Sequence, residues 1–519
     1  MKLLTSNLKL KFLGITPVVK DETGVLNPQE IVALSALLTF KGRTIKKLFK
    51  DIESSGEEVG EKIKLILQKS SLRGHASIAT TPSFCFTYEG SKFLDWALTG
   101  IYFSSSLVSS GRRTDTSEKD IVFPREIYCN KKAREIYYRV SKRNIEAHNY
   151  LLSKGISKSE ARKILQQGVY GTGIIQMPVE SFVAVKREYE AEKAWMPEEV
   201  GFFIQAVEKQ AKKMGIDLLL ATRSAAPRSV YPFPNVFKNP KELNIVRELK
   251  EKSAKIISVE ALITKGLRKK LAQLKKERQQ SFSSLQQIKR KWPVLLSLYQ
   301  EIFRDYNSSL RFKIFSTVPM GIWTEKKRHR TCYQSVESIY YCVDRAARVF
   351  SKKPEIKKIE QVFSLPPSIK KDPRLLDCYL SAAKQSFNGY QKLLSLKIKP
   401  KDAVFLIPRG VKTDVVQEYD LYNLLAGYYP LRLCATADEE IRRNTLREVA
   451  LIKQKLSQKG CGWLNDLLVP KCQILGFCPE EKNCSAILSA VRNYNEKFHK
   501  EMKKELKKQF EKNLRNLGK

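Results

Sequence analysis

At 519 residues and 59.6 kDa the chain exceeds the size at which one hydrophobic core stops growing, and 42% hydrophobic residues supply enough apolar surface for two domains. Ninety-four Lys and Arg against 54 Asp and Glu give a formal charge of +40, a field that attracts polyanions: nucleic acid, phosphorylated small molecules, or no partner at all if the lysine content is a general bias. No run of about 18 uncharged apolar residues occurs and the start MKLLTSNLKLKFLG lacks a leader pattern, so neither a membrane span nor a membrane partner is expected. Ten scattered cysteines fit reduced thiols and a cytoplasmic location.

In chain order, NPQEIVALSALLTF from Asn27 offers an N-cap, a proline in the first turn and helical spacing of apolar residues. GEEVGEKIKLILQKS (56–70) is a second helix, and SFCFTYEG (83–90) alternates as a half-buried strand does. SKFLDWALTGIYFS (91–104) reads as helix, with Trp96 in the core, and runs into the hydroxyl-rich loop SSSLVSSGRRT. Helices follow over 131–155, 157–168 and 198–215, with GVYGTG between them read as a flexible loop rather than a dinucleotide fingerprint. SVYPFPNVFKNP (229–240), dense in Pro and Asn, marks a boundary.

Basic helical segments then run to about 290; KGLRKKLAQLKKERQQ and the C-terminal 499–519 read as solvated faces, lacking the interleaved aromatics of a nucleic-acid platform. LRFKIFSTV (310–318) is again a strand, MGIWTEK leads into KKRHRTCYQSVESIYY, and 373–397 and 439–456 are helices. Two units in one order suggest an internal duplication. His148 and His499 are expected at the surface; Cys461, Cys472, Cys478 and Cys484 are either buried thiols or a zinc set of wide spacing.

Arg328-His329-Arg330 joins two guanidiniums, which fork onto phosphate and stack on flat rings, to an imidazole. In context, RHRTCYQSVESIYY resembles the signature RHRxxSxNxxSxRY of flavin-dependent thymidylate synthases, departing at Tyr333, Ser335 and Tyr340. RGHASIATTPSFCFTYEG (73–90) resembles the same family's opening block, matching His75 and Ser77; Gly100-Ile101-Tyr102 stand where RHR belongs, while Ser105, Ser110 and Arg112 match. EARKIL is similar to the ARxxLP segment, placing Arg162 on its arginine, where the second unit has Val404. YNLLAGYYPLRLCATADEEIR matches Arg432 to the family's terminal arginine, for which the first unit offers only Arg187.

The resemblance implies an α+β fold of two tandem units, each a small mainly antiparallel sheet packed with helices. The division is 1–235 for the first unit, 236–299 for a basic helical linker, 300–456 for the second unit, and 457–519 for a Cys-containing segment with a basic tail. It implies reductive methylation of dUMP to dTMP, with FAD as hydride shuttle and methylenetetrahydrofolate and NADPH as co-substrates; no side chain serves as nucleophile. By the same resemblance Arg328, His329, Arg330 and His75 hold the flavin, and Ser110, Gly111, Arg112, Arg162, Ser338 and Arg432 hold the nucleotide. A composite site between the units and a homodimer that mimics a family tetramer follow. The competing expectation is an inactive homologue that binds nucleotides or nucleic acid through its charge.

Overall fold

The computed structural model describes residues 3–21, 24–72, 77–111, 114–224, 234–241, 246, 255–280, 284–352, 354–491 and 493–517. Its architecture is α+β. Two compact units are each discontinuous in sequence: one holds 1–244, 319–330 and 336–413, the other 245–318, 331–335 and 414–519.

In the first unit a four-stranded antiparallel sheet runs Lys9–Thr16, Ser83–Ser91, Tyr170–Pro178, Ser105–Val108 across its width. Alternation in SFCFTYEGS turns Phe84, Phe86 and Tyr88 inward, where Phe84 meets Phe182 edge-on and Phe86 lies 5.6 Å from Phe203. Those rings come from the helices Val179–Ala191 and Glu198–Lys213, which cover the sheet. Two expectations are corrected. Residues 170–173 of GVYGTG open the strand Tyr170–Pro178 rather than a loop; a side chain on Gly171 would stand 3.0 Å from Asp95 Oδ1 and one on Gly173 2.8 Å from the Leu107 carbonyl, so glycine permits the strand to pair closely. The hydroxyl-rich loop supplies the edge strand Ser105–Val108, and the preceding helix ends at Leu98.

The second unit carries a four-stranded sheet in the order Lys255–Ala261, Leu310–Pro319, Lys412–Asp420, Tyr333–Val336. The strand order is that of the first sheet, read by position in the chain: an early edge strand, the central strand, a late strand, and a short strand on the far edge. Its core gathers Leu267, Leu271 and Leu274 from the basic helix Lys265–Gln280, whose charged face remains outside, with Tyr419, Tyr428 and Tyr429.

The likeness extends residue by residue. The helices Lys131–Ser153 and Pro373–Ser395 are followed by Lys158–Ala161 and Pro400–Ala403, by the 3-10 turns Arg162–Ile164 and Val404–Leu406, and by the strands Tyr170–Pro178 and Lys412–Asp420. Every boundary recurs at the same separation, 242 residues, and the helices touch where Asn144 donates to Ser386 Oγ at 2.9 Å, a pair with that separation. Tyr137 donates to the Val122 carbonyl as Tyr379 donates to that of Ser364. The turns exchange backbone hydrogen bonds reciprocally: Gln167 N–H to Ile407 and Arg409 N–H to Leu165, Gly168 N–H to Phe405 and Gly410 N–H to Lys163, all 2.8–3.1 Å. That is the pattern of an isologous contact about a two-fold axis, here within one chain and one compact unit.

Candidate functional site

Beside this turn the first unit concentrates charge. Lys92, the first residue of the helix Lys92–Leu98, is buried, and its ammonium donates to Asp95 at 2.8 Å, to the Ser109 carbonyl at 2.7 Å and to Ser109 Oγ at 2.6 Å. Burial pushes Lys92 below its ordinary range against the pull of Asp95, with Arg409 and Arg328 adding repulsion. Three donors placed on three acceptors make Lys92 a strut that fixes the chain entering Ser110 and Gly111. Asp95 also accepts from the buried Tyr88 hydroxyl.

Arg162 reaches back from the 3-10 turn to Glu325 at 3.0 Å, both side chains 12% exposed. The segment 319–330 thereby brings Arg328, His329 and Arg330 into the unit that holds Ser110, Gly111 and Arg162. Arg328 is exposed, His329 and Arg330 half-buried; Arg330 Nε is buried without a hydrogen-bond partner among the described residues, and burial, then Arg328, lowers its affinity for its proton. Lys327 is buried over the Trp323 ring at 4.7 Å and donates to the Trp96 carbonyl; desolvation, then Arg328, holds it well below the usual lysine range.

Arg409 completes the cluster. It is 8% exposed, and burial followed by the neighbouring Arg162 brings it down to about 10. A Cβ placed on Gly111 would lie 3.0 Å from Arg409 Nη1 and 3.9 Å from Arg162 Nη1, so the two guanidiniums flank one glycine. Arg162 pairs with Glu325, while Arg409 feels Asp95 yet keeps two buried nitrogens without hydrogen-bond partners among the described residues.

Of the residues singled out in the sequence, Ser110, Gly111, Arg162, Arg328, His329, Arg330 and Ser338 fall in this unit. Ser338 is buried just ahead of the helix Ile339–Phe350 and donates to the Lys238 carbonyl at 2.7 Å. Arg432 is half-buried in the other unit, on the short helix Tyr429–Arg432. His75 and Arg112 lie outside the described residues. Lys92, Asp95, Glu325, Lys327 and Arg409 were not anticipated; the signal available was a charge set among apolar residues, as in FLIPRGV.

His148 and His499 are corrected from surface to buried, at 2% and 5% exposure. Each occupies the inward stripe of its helix, and His499 shares a hydrogen bond of 2.9 Å with Tyr494. Cys461, Cys472 and Cys478 are buried free thiols, Cys484 is half-buried, and among the described residues no group of three or more His, Cys, Asp or Glu is arranged to hold a metal ion. No helix among the described residues is long and apolar enough to cross a membrane.

A model of the family described as thymidylate synthase complementing protein matches residues 22–194 and 307–456. Flavin-dependent thymidylate synthases of Pyrococcus abyssi and Pyrococcus horikoshii are 33% and 37% identical over 127 residues, 24% of this chain and 50% of each relative. That of Thermococcus onnurineus is 28% identical over 156 residues, 30% of this chain and 58% of the relative. The chain thus spans about half the length of the curated relatives it matches. Among solved structures, a UMP/dUMP methylase from Streptomyces cacaoi bound with 5-Br dUMP aligns over 44% of this chain and 100% of its own, at 12% identity and a TM-score of 0.34. Thymidylate synthase X from Helicobacter pylori with FAD and dUMP aligns over 42% and 99%, at 15% identity and a TM-score of 0.31. With more than half of its residues matched by the family model, in two ordered segments, the chain belongs to the family of the thymidylate synthase complementing protein.

Proposed function

We propose that the chain is a flavin-dependent thymidylate synthase that methylates dUMP reductively to dTMP, using FAD, methylenetetrahydrofolate as carbon donor and NADPH as reductant. Residues 1–235 and 300–456 are two copies of one unit, joined by the linker 236–299 and followed by the segment 457–519; they share one composite site, and a cytoplasmic homodimer presents the family's assembly. The observation that carries the reading is the Arg162–Glu325 pair, which joins the first copy's nucleotide-side arginine to the segment bearing Arg328-His329-Arg330.

The side chains fit both ligands. Arg330, with a buried Nε that has no partner among the described residues, retains donor capacity for an anionic cofactor, and Arg328 and His329 beside it offer a cation and a stacking ring. When bound, FAD supplies the hydride chemistry. Arg162 supplies charge for the nucleotide; Glu325 fixes its guanidinium, and Lys92 holds the Ser110-Gly111 backbone in place through Ser109. Ser110, Arg112, Ser338, Arg432 and His75 keep their assignments from the resemblance.

The test is the flavin spectrum of purified protein, with dTMP formation from dUMP, methylenetetrahydrofolate and NADPH. Yellow protein that turns over, with FAD lost in Arg328→Ala, is expected. Colourless protein that cannot take up added FAD overturns the enzyme and leaves the inactive, anion-binding homologue.

A further inference from the structure

The two-fold relation between the turns makes Arg162 equivalent to Val404 and Gln167 equivalent to Arg409, each pair separated by the 242 residues that relate Asn144 to Ser386. The reciprocal hydrogen bonds therefore set two potential sites side by side, and the sequence treats them oppositely.

At one, the guanidiniums of Arg162 and Arg409 flank Gly111, whose missing side chain leaves room between them. Arg409 Nε and Nη2 are buried without hydrogen-bond partners among the described residues, and the Asp95 carboxylate offsets part of the charge without bonding those nitrogens. A buried guanidinium with unsatisfied donors beside a second guanidinium is unfavourable in an isolated protein, and Asp95 offsets only part of that. It is retained where an anion arrives to take the free donors. At the other, every equivalent position is neutral, although the buried Gln167 amide also lacks hydrogen-bond partners among the described residues. Val404 and Gln167 are fully buried; Ile339 and Tyr340, in the signature places of Gly111 and Arg112, are buried too, and the Tyr340 hydroxyl donates to the Trp195 carbonyl.

We propose that Arg409, outside every motif that carried the family resemblance, is a ligand of the phosphate monoester, acting with Arg162 over Gly111, and that each chain has one such anion site. The identity of the anion as a nucleotide phosphate rests on the function proposed above; the anion site itself does not.

Titration of the full chain with dUMP and with deoxyuridine, together with melting in inorganic phosphate, tests this on wild type, Arg409→Gln and Arg409→Lys. Arg409→Gln installs the residue of the equivalent position; Arg409→Lys keeps the charge if the first variant does not fold. The expected results are one dUMP per chain and a melting temperature raised by phosphate in wild type. In Arg409→Gln, dUMP binding weakens roughly 10- to 150-fold, the equivalent of one lost charged hydrogen bond, the phosphate response disappears, and deoxyuridine binding is unchanged. Arg409→Lys falls between, since a point charge replaces a fork. Equal dUMP affinity in wild type and both variants, two equivalent dUMP per chain, or a wild type that responds to neither ligand overturns the proposal. A phosphate response that depends on Arg409 with no dUMP binding leaves the anion site standing and removes the thymidylate reading.

Discussion

The helices Lys92–Leu98 and Met320–Lys326 follow equivalent strands, have seven residues each, and solve the same packing problem with opposite chemistry. The first buries the ion pair Lys92–Asp95; the second, at the same first and fourth positions, buries Met320 and Trp323, both 0% exposed. Because buried ion pairs contribute little net stability compared with apolar packing, the pair is explained by what it holds, the Ser109 backbone ahead of Gly111. One segment buries polar groups that hold the Ser109 backbone; the other buries apolar side chains at the same positions.

Breaking the pair on one side gives the largest effect. Asp95→Ala strands the Lys92 ammonium and the Tyr88 hydroxyl, so denaturant melts are expected to show a loss of about 3–5 kcal/mol, with Lys92→Met in the same chain restoring part of it. If the single variant is as stable as wild type, the pair is not held as described.

The strand ends differ as well: Ser91 donates from its N–H at 2.7 Å and from its hydroxyl to buried Glu199, whereas Pro319 ends the other strand. Burial raises Glu199 to about 7. The folded chain therefore binds this proton more tightly than the unfolded one, and stability falls as pH rises from about 4.5 to about 7, then levels. Glu199→Gln removes that slope, worth up to about 3 kcal/mol at pH 8 relative to pH 4, read from melts at both. An unchanged slope assigns the proton elsewhere.

Arg162→Val copies Val404 into the first segment. It is expected to weaken dUMP binding by about 1.5–3 kcal/mol in titration, while a change at Val404 leaves affinity intact. Comparable losses from both would mean two working sites. The smallest effect lies at the helix ends, where Gly155 has φ 79° and its equivalent Lys397 has φ 62°. Lys397→Gly relieves a left-handed side chain and is expected to stabilise by about 0.5 kcal/mol in thermal melts, since the entropy of glycine offsets part of the relief.

Much of the fold was legible where apolar residues alternate or repeat: SFCFTYEG and LRFKIFSTV as central strands, and the helices starting at Lys131 and Pro373. Ser105–Val108 and residues 170–173 of GVYGTG were not, because their residues favour turns and only pairing with neighbouring strands made them β. Arg162, Ser110 and Arg328-His329-Arg330 were singled out through the family resemblance, and the structure places them in one unit. Lys92 and Arg409 were not, since a single cation in an apolar run carries no periodic signal and its partners are distant in the chain.

By itself, then, the sequence determined the central strands and long helices, because hydrophobic period is a local property, and its resemblance to a known family implied an α+β chain of two like segments. Only the tertiary structure decided that residues 163–168 and 405–410 exchange hydrogen bonds about a two-fold axis, setting Arg409 beside Arg162 while its counterpart Gln167 is fully buried. Charge acts through space over a few ångströms, and here those ångströms span some 250 residues of chain.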